Sequence, residues 1–153
     1  MKIFLAGIII ILGTCLRFYH LDLSPPGLYA DEALIGYNAY SILTTGKDEH
    51  GLAWPLFFRA FGEYKNPVFI YSLVPLIKIF GLSPWTVRAG AALWGSLTIL
   101  LMYLFSRSLL STLILALMPW HLHYSRLGFE AITLPALFLL GLIFQLNRRP
   151  LLT

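Results

Sequence analysis

Apolar residues fall into long runs along this chain, and polar residues gather between the runs. A helix needs about 20 apolar residues to cross a hydrocarbon core about 30 Å thick, since each residue adds about 1.5 Å. We therefore predict an all-α, polytopic membrane protein with about four transmembrane helices. The predicted spans are 3–19, 67–81, 85–106 and 131–147, with a large outer loop at 20–66 and a second outer loop at 119–130.

The segment 109–118 is apolar but too short for a comfortable span. Lys2 and the Arg148-Arg149 pair should both be cytoplasmic, because basic residues concentrate on that side. An even number of crossings is then required, and four spans place both loops on the outer face. Counting 109–118 as a fifth span is the alternative, which would put 119–130 on the opposite side from 20–66.

The first apolar run leaves a second alternative open. A cleavable signal peptide that begins with Lys2 would also be basic and then apolar. The run continues through Leu16 and Phe18 without a small-residue cleavage site, which favours a retained helix. Arg17 lies near the end of this run, where we expect its side chain to snorkel to the headgroups.

The 20–66 loop holds six of the seven acidic residues of the chain. Pro25-Pro26-Gly27 must form a turn, because two prolines and a glycine cannot continue a helix. Residues 31–45 have the pattern of an amphipathic helix, with Gly46 as its C-terminal stop. We expect this helix to lie flat on the membrane surface.

Composition agrees with a membrane protein, since 58% of the residues are hydrophobic and 12% are charged. Soluble domains have about 45–50% apolar and about 25% charged residues. A single cysteine, Cys15, excludes an internal disulfide. The formal net charge of +4 does not indicate nucleic acid binding, because the basic residues are scattered among apolar runs.

Two groups of charged residues in the 20–66 loop could carry chemistry. Asp31 and Glu32 begin the predicted helix, where their simplest role is to cap it and to favour its dipole. Glu63 and Lys65 lie just before the 67–81 span. Their simplest role is interfacial anchoring and a surface ion pair, worth about 0–1 kcal/mol.

A third group lies in the second outer loop, in the sequence Pro-Trp-His-Leu-His-Tyr-Ser-Arg followed by Phe-Glu. His121 and His123 are two positions apart and do not share a helix face, which disfavours a metal site made by this pair. Arg126 and Glu130 could simply pair with each other. Ionisable groups that border a span nevertheless suggest a functional site.

In this order, the three groups resemble the GT-C class of polytopic glycosyltransferases. This class includes protein O-mannosyltransferases, aminoarabinose transferases and bacterial RgtA/B/C/D-like enzymes. The resemblance covers essentially the whole chain, as the N-terminal part of a longer enzyme. It rests on Tyr-Ala-Asp-Glu after the first run, Gly-Glu-Tyr-Lys-Asn-Pro before the second, and the later Pro-Trp-His, Ser-Arg and Phe-Glu.

The resemblance implies transfer of a sugar from a polyprenyl-phosphate carrier to an acceptor hydroxyl on the outer face, with inversion at the anomeric carbon. The acceptor would be a protein, a lipid or a polysaccharide. By match to the family motifs, Asp31 would be the general base, and Glu32 would orient it or bind the acceptor or a metal.

Cations are needed where charge develops on the leaving phosphate, and Lys65 and Arg126 are the candidates. Lys65 matches a family lysine that contacts the donor phosphate. Glu63, Glu130 and His121 are candidates for binding a divalent metal or the acceptor. Glu130 departs from the family, which often has Asp at a different spacing from the arginine.

The family has roughly eleven or more spans, so we expect this chain to be an N-terminal fragment or a truncated reading frame, inactive alone. The expected location is a bacterial or archaeal cytoplasmic membrane. The alternative function is a small non-catalytic membrane subunit or assembly factor that binds a partner through its outer loop. A transporter fragment is disfavoured, because the ionisable residues cluster outside the spans.

Overall fold

The computed structural model describes residues 1–148, and helices make up 70% of the fold. The Arg148-Arg149 pair used above for orientation therefore extends outside the described residues. A 3₁₀ turn at Glu130–Ile132 precedes the last helix. The helices are α1 (Lys2–Phe18), α2 (Ala30–Thr45), α3 (Pro67–Phe80), α4 (Pro84–Ser106), α5 (Leu109–Leu117), α6 (Pro119–Tyr124) and α7 (Thr133–Arg148), and the strands are β1 (Phe58–Ala60) and β2 (Glu63–Lys65).

Helix α4 is the centre of the fold and packs against all the other α-helices. Small residues on α4 allow this close approach. A Cβ atom added to Gly90 would lie 2.2 Å from Cδ2 of Leu73 on α3, and one added to Gly95 would lie 2.3 Å from Oγ of Ser125. Ser83 begins the helix as its N-cap, because its hydroxyl accepts a hydrogen bond from the backbone N–H of Thr86.

The prediction of four transmembrane helices is wrong. Among the described residues, only α4 is long and apolar enough to cross a membrane, and its 23 residues measure about 35 Å. With 17, 14 and 16 residues, α1, α3 and α7 measure only about 26, 21 and 24 Å. The five-span alternative fails for the same reason, since α5 has nine residues and measures about 14 Å.

The helix predicted over 31–45 is present as α2, but it does not form a free surface helix. Its residues Leu34, Ile35, Ala39 and Ile42 belong to the main hydrophobic core, together with residues of α3, α4 and the two strands. Gly46 ends the helix in the left-handed conformation, at φ 72°. Packing of α2 against α3 and α4 replaces the expected position flat on a membrane surface.

The chain is not all-α, because the 20–66 segment contains a β-hairpin. Strands β1 and β2 pair antiparallel, with Phe58 opposite Lys65 and Ala60 opposite Glu63. The two linking residues, Phe61 and Gly62, both have positive φ, at 36° and 90°. Such a two-residue turn twists in the sense that joins antiparallel strands.

Large apolar side chains are exposed on the outer helices. The presence of one helix long and apolar enough to span is compatible with association with a membrane and does not show a multi-pass protein. Contiguous exposed apolar surface on a folded chain marks contact with lipid, with another protein or with a ligand. The exposed residues include Ile3, Phe4 and Ile11 on α1, Leu110 and Ile114 on α5, and Leu134, Phe138 and Phe144 on α7.

Candidate active site

The ammonium group of Lys65 lies among three carboxylates. Its Nζ is 3.0 Å from Oδ1 of Asp31 and 3.7 Å from Oε1 of Glu130, and it also donates a hydrogen bond to Oε1 of Glu63. We call these four residues the Lys65 cluster. Three negative charges and one positive charge leave it with a formal charge of −2. The cluster brings together four of the residues predicted to form the site.

Three separate elements place these side chains. Asp31 lies in the first turn of α2, and Glu130 begins the 3₁₀ turn before α7. Glu63 and Lys65 are two positions apart on β2, so their side chains lie on the same face of the hairpin. At Lys65 this face of the hairpin is buried, and the residue is only 7% exposed. The hairpin therefore turns the lysine inward, toward the start of α2.

The environment keeps Lys65 charged. Burial by itself lowers the pKa of its ammonium group, but hydrogen bonds with Glu63 and Asp31 and the charge of Glu130 outweigh burial. The pKa of Lys65 is therefore raised above its ordinary value. The cluster offers a permanent cation whose position is fixed by carboxylates.

The candidate metal site predicted from these acidic residues does not fit the geometry. Within residues 1–148, no group of three or more His, Cys, Asp or Glu side chains is arranged to hold a metal ion. The carboxylates of the Lys65 cluster converge on an ammonium group, which occupies the position that a cation would need. We therefore assign no step to a divalent ion.

An apolar groove of about 310 Å³ opens beside the Lys65 cluster, between the first turns of α3 and α7. None of the four cluster residues lines the groove, but Asn66 follows Lys65 directly and Thr133 comes three residues after Glu130, so the groove lies near the cluster. An apolar groove near an ionic cluster suits an amphiphilic ligand with a charged end. The lining side chains are Asn66, Val68, Thr133, Leu134, Leu137 and Phe138.

Glu32 occupies a different environment from its neighbour Asp31. Its side chain is completely buried, and Oε1 accepts hydrogen bonds from Nε of Arg88, at 3.0 Å, and from the backbone N–H of Gly128, at 2.8 Å. The other oxygen accepts from Nη2 of Arg88 and from the backbone N–H of Tyr29. The guanidinium of Arg88 also donates to the carbonyl oxygens of Leu21, Pro25 and Gly27.

These contacts favour a positioning role for Glu32. Burial raises the pKa of Glu32, but the hydrogen bonds from Arg88, Gly128 and Tyr29 outweigh it and hold the pKa below its ordinary value. The carboxylate is ionised and all its strong contacts are with this chain. Both oxygens are occupied by hydrogen bonds within the chain, which leaves little of Glu32 for an acceptor or a metal, and its predicted role in orienting Asp31 stays a prediction.

Arg126 lies apart from the Lys65 cluster. Its guanidinium donates to the carbonyl oxygens of Leu16, at 2.8 Å, and of Ser24, at 2.9 Å. It therefore holds the end of α1 against the turn that follows, where exposed carbonyl groups lack helical partners. Binding of a phosphate by Arg126 stays a prediction, and the structure gives this side chain a different set of partners.

His121 also lies apart from the cluster, in a buried group with Arg17 and Ser125. Arg17 does not snorkel: it is completely buried and donates to Nδ1 of His121, at 2.7 Å, and to Oγ of Ser125, at 3.1 Å. Burial, together with the charge of Arg17, lowers the pKa of His121 to about 4, so the ring is neutral at pH 7. Its Nε2 has no hydrogen-bond partner among the described residues.

Sequence reasoning missed Arg88 as a site residue. A signal was present, because Arg88 stands within the apolar run 85–106, and a charge in such a run is expensive unless it is paired. The partner could not be identified, since Glu32 is 56 residues away. Through its hydrogen bonds to Glu32, Arg88 fixes the first turn of α2, which also carries Asp31.

Comparison of the chain with protein-family models, with curated proteins and with solved structures finds no match. The assignment of a function to the Lys65 cluster therefore rests on its geometry and chemistry.

Proposed function

We propose that this chain is a glycosyltransferase, or the N-terminal part of one, that transfers a sugar from a polyprenyl-phosphate carrier to an acceptor hydroxyl with inversion. The observation that carries the proposal is the Lys65 cluster near the apolar groove. A carboxylate beside a fixed cation, next to an apolar groove, provides the three parts that a lipid-phosphate donor requires: a base, a phosphate ligand and a place for the lipid.

Asp31 is the proposed general base. One of its carboxylate oxygens faces Lys65, and its side chain is 39% exposed, so an acceptor can approach it. The acceptor hydroxyl gives its proton to Asp31 as its oxygen bonds to the anomeric carbon of the sugar. The bond from that carbon to the phosphate oxygen breaks at the same time, and the lipid phosphate leaves with the bonding electron pair.

Lys65 is the proposed ligand of the donor phosphate. Its ammonium group stabilises the charge that develops on the leaving phosphate oxygen. The side chain of Glu63 is 62% exposed, against 39% for Asp31 and 19% for Glu130, so Glu63 is the carboxylate that a phosphate reaches and displaces most readily. Because Arg126 is engaged with backbone carbonyl groups, Lys65 rather than Arg126 carries this role in the proposal.

A membrane location follows from the donor. Polyprenyl chains dissolve in lipid, and the exposed apolar side chains of α1, α5 and α7 supply surface that would contact it. The proposed location is a bacterial or archaeal cytoplasmic membrane. The acceptor would be a protein, lipid or polysaccharide at its outer face.

Binding of the donor head group tests the role of Lys65. The purified chain in amphipol is titrated with a polyprenyl phosphate and with the uncharged polyprenol of the same length. We expect the wild type to prefer the phosphate, and Lys65→Ala to lose that preference while still binding the polyprenol. Lys47→Ala is the matched control, because Lys47 is an exposed lysine of the same loop. Equal phosphate preference in Lys65→Ala and the wild type would overturn this role.

Transfer tests the role of Asp31. Membranes from cells that express the chain are supplied with a panel of radiolabelled polyprenyl-phosphate sugars, and incorporation into protein, lipid and polysaccharide is counted. Asp31→Asn should abolish incorporation without weakening donor binding, and Asp22→Asn, at an exposed carboxylate, should leave it unchanged. Full activity in Asp31→Asn would refute the base assignment. If wild-type expression adds no incorporation, the chain alone does not catalyse transfer with these donors, and the phosphate preference conferred by Lys65 decides between a part of a glycosyltransferase and a non-catalytic subunit.

A further inference from the structure

A second cleft, of about 500 Å³, lies between α2 and the β-hairpin. It is bounded by one face of α2, the loop that follows α2, and the turn of the β-hairpin. Its volume is within the range of about 300–1,000 Å³ that is usual for small-molecule sites. The residues that bear on its chemistry are Tyr37, Glu49, His50, Arg59 and Phe61.

Two aromatic rings on the cleft are accessible. Tyr37 is 52% exposed and Phe61 is 75% exposed, although both belong to residue types that normally bury most of their area. Phe61 is held outward by the hairpin turn, where its φ is 36°. Open aromatic rings offer flat apolar surface, on which the C–H faces of a pyranose ring can pack through dispersion contacts.

The polar groups at the cleft are of both kinds, hydrogen-bond donors and acceptors. Glu49 is held in place by Asn38, whose amide donates to Oε1 of Glu49 and accepts from its backbone N–H, both at 3.1 Å. Nε2 of His50 is 3.8 Å from the same Oε1. The formal charges of Glu49 and Arg59 cancel, so the cleft suits an uncharged ligand that both donates and accepts hydrogen bonds.

The cleft adjoins the Lys65 cluster through shared elements. Ala30, on its wall, directly precedes Asp31 in the first turn of α2. Ala60, also on its wall, is opposite Glu63 in the hairpin. The cleft is therefore lined by backbone neighbours of Asp31 and Glu63, and it shares no lining residue with the apolar groove between α3 and α7.

We infer that this cleft binds a neutral sugar unit of a glycan acceptor and places one of its hydroxyl groups beside Asp31. The inference rests on the proposed function for its catalytic meaning, but binding of the sugar does not depend on transfer. It assigns the acceptor class, a glycan rather than a peptide, from open aromatic rings combined with balanced polar groups.

Direct binding tests the inference. The chain is placed in amphipol or a lipid nanodisc, because maltoside detergents would compete, and saturation-transfer difference NMR is recorded with maltotriose and lactose at millimolar concentration. We expect signals from the ring C–H protons of at least one sugar. Tyr37→Ala and Phe61→Ala should each weaken binding roughly tenfold, which corresponds to about 1.4 kcal/mol.

Matched variants separate this site from general loss of structure. Tyr40→Ala alters an exposed tyrosine of the same helix outside the cleft and should leave binding unchanged, as should Tyr37→Phe, which keeps the ring. Absence of sugar signals with the wild type, or equal binding by Tyr37→Ala and the wild type, would overturn the inference. So would binding of an uncharged peptide at the same aromatic residues in preference to either sugar.

Failure of this inference and failure of the proposed function give different results. Asp31→Asn should abolish transfer and keep sugar binding, because Asp31 does not line the cleft. If Asp31→Asn remains active but Tyr37→Ala loses sugar binding, the cleft inference stands and the base assignment falls. If Tyr37→Ala binds sugar normally while Lys65→Ala loses its phosphate preference, the donor assignment stands and the cleft inference falls.

Discussion

Replacement of Glu32 by alanine should destabilise this protein strongly, although the sequence placed Glu32 in the candidate catalytic site beside Asp31. The variant leaves the Arg88 guanidinium buried without its counter-ion, since Arg88 is 1% exposed. It also removes the acceptor for the backbone N–H groups of Gly128 and Tyr29. Breaking a buried ion pair by removing one partner costs about 3–5 kcal/mol.

That free energy converts to a large change in Tm. For a chain of this length, each kcal/mol lowers Tm by about 2–4 °C, so Glu32→Ala should lower it by about 6–20 °C. The assay is thermal unfolding in nanodiscs, followed by tryptophan fluorescence. Glu63→Ala is the control, because its carboxylate is 62% exposed and such an ion pair contributes about 0–1 kcal/mol.

A double-mutant cycle tests the pairing itself. Glu32→Ala and Arg88→Ala should each be strongly destabilising, and the double variant should be much less so than their sum, because it leaves neither charge unpaired. A Tm for Glu32→Ala within about 3 °C of the wild type would refute the reasoning, given the range expected for a buried pair. Strict additivity of the two single variants would refute it as well.

Two further predictions concern packing and pH. In the folded protein the pKa of His121 is about 4, below its ordinary value of 6.5. The contribution of the neutral ring to the free energy of unfolding should therefore be fully present above pH 6.5, and up to about 3 kcal/mol of it should be lost as the pH falls toward 4. When unfolding is measured against pH, the wild type should therefore lose stability more steeply in acid than His121→Gln does. His123→Gln, which alters an exposed histidine, should lose stability as the wild type does. Equal acid sensitivity of His121→Gln and the wild type would contradict the expectation. Gly90→Ala should lower stability by about 1–3 kcal/mol, because the new Cβ would meet Leu73. Gly7→Ala is the control and should be neutral or stabilising, because the space around Gly7 is open. Similar Tm values for the two variants would argue against close packing at Gly90.

Local signals in the sequence predicted local structure well. The acidic pair predicted the start of α2 to within one residue of the observed start at Ala30. The glycine after the helical pattern predicted its observed end at Thr45. Such signals work because caps and stops act through the backbone of a few neighbouring residues. The hairpin was missed because its strands have three residues each, too few to show a period of two.

Long-range structure could not be predicted in the same way. The bounds of α1, α3 and α7 agree with the predicted apolar runs to within two residues, but helices of 17, 14 and 16 residues are too short to be counted as spans. Asp31 and Lys65 were identified as candidates from motifs, yet their contact depends on the inward turn of β2. The buried positions of Arg17 and Arg88 were not predicted, because their partners are distant in sequence and only the tertiary structure brings them together.

The contacts of Arg88 have a consequence for how the protein is made. Arg88 secures the turn before α2 through Leu21, Pro25 and Gly27, and Gly128 completes the binding of Glu32 from 96 residues away. During synthesis the N-terminal third of the chain leaves the ribosome before these anchors exist. The segment around Pro26-Gly27 should remain open to proteases in nascent chains shorter than about 90 residues. Protection there should develop in two stages, first with Arg88 and then with Gly128, so the start of α2, with Asp31 and Glu32, should reach its final structure only after Gly128 has been synthesised.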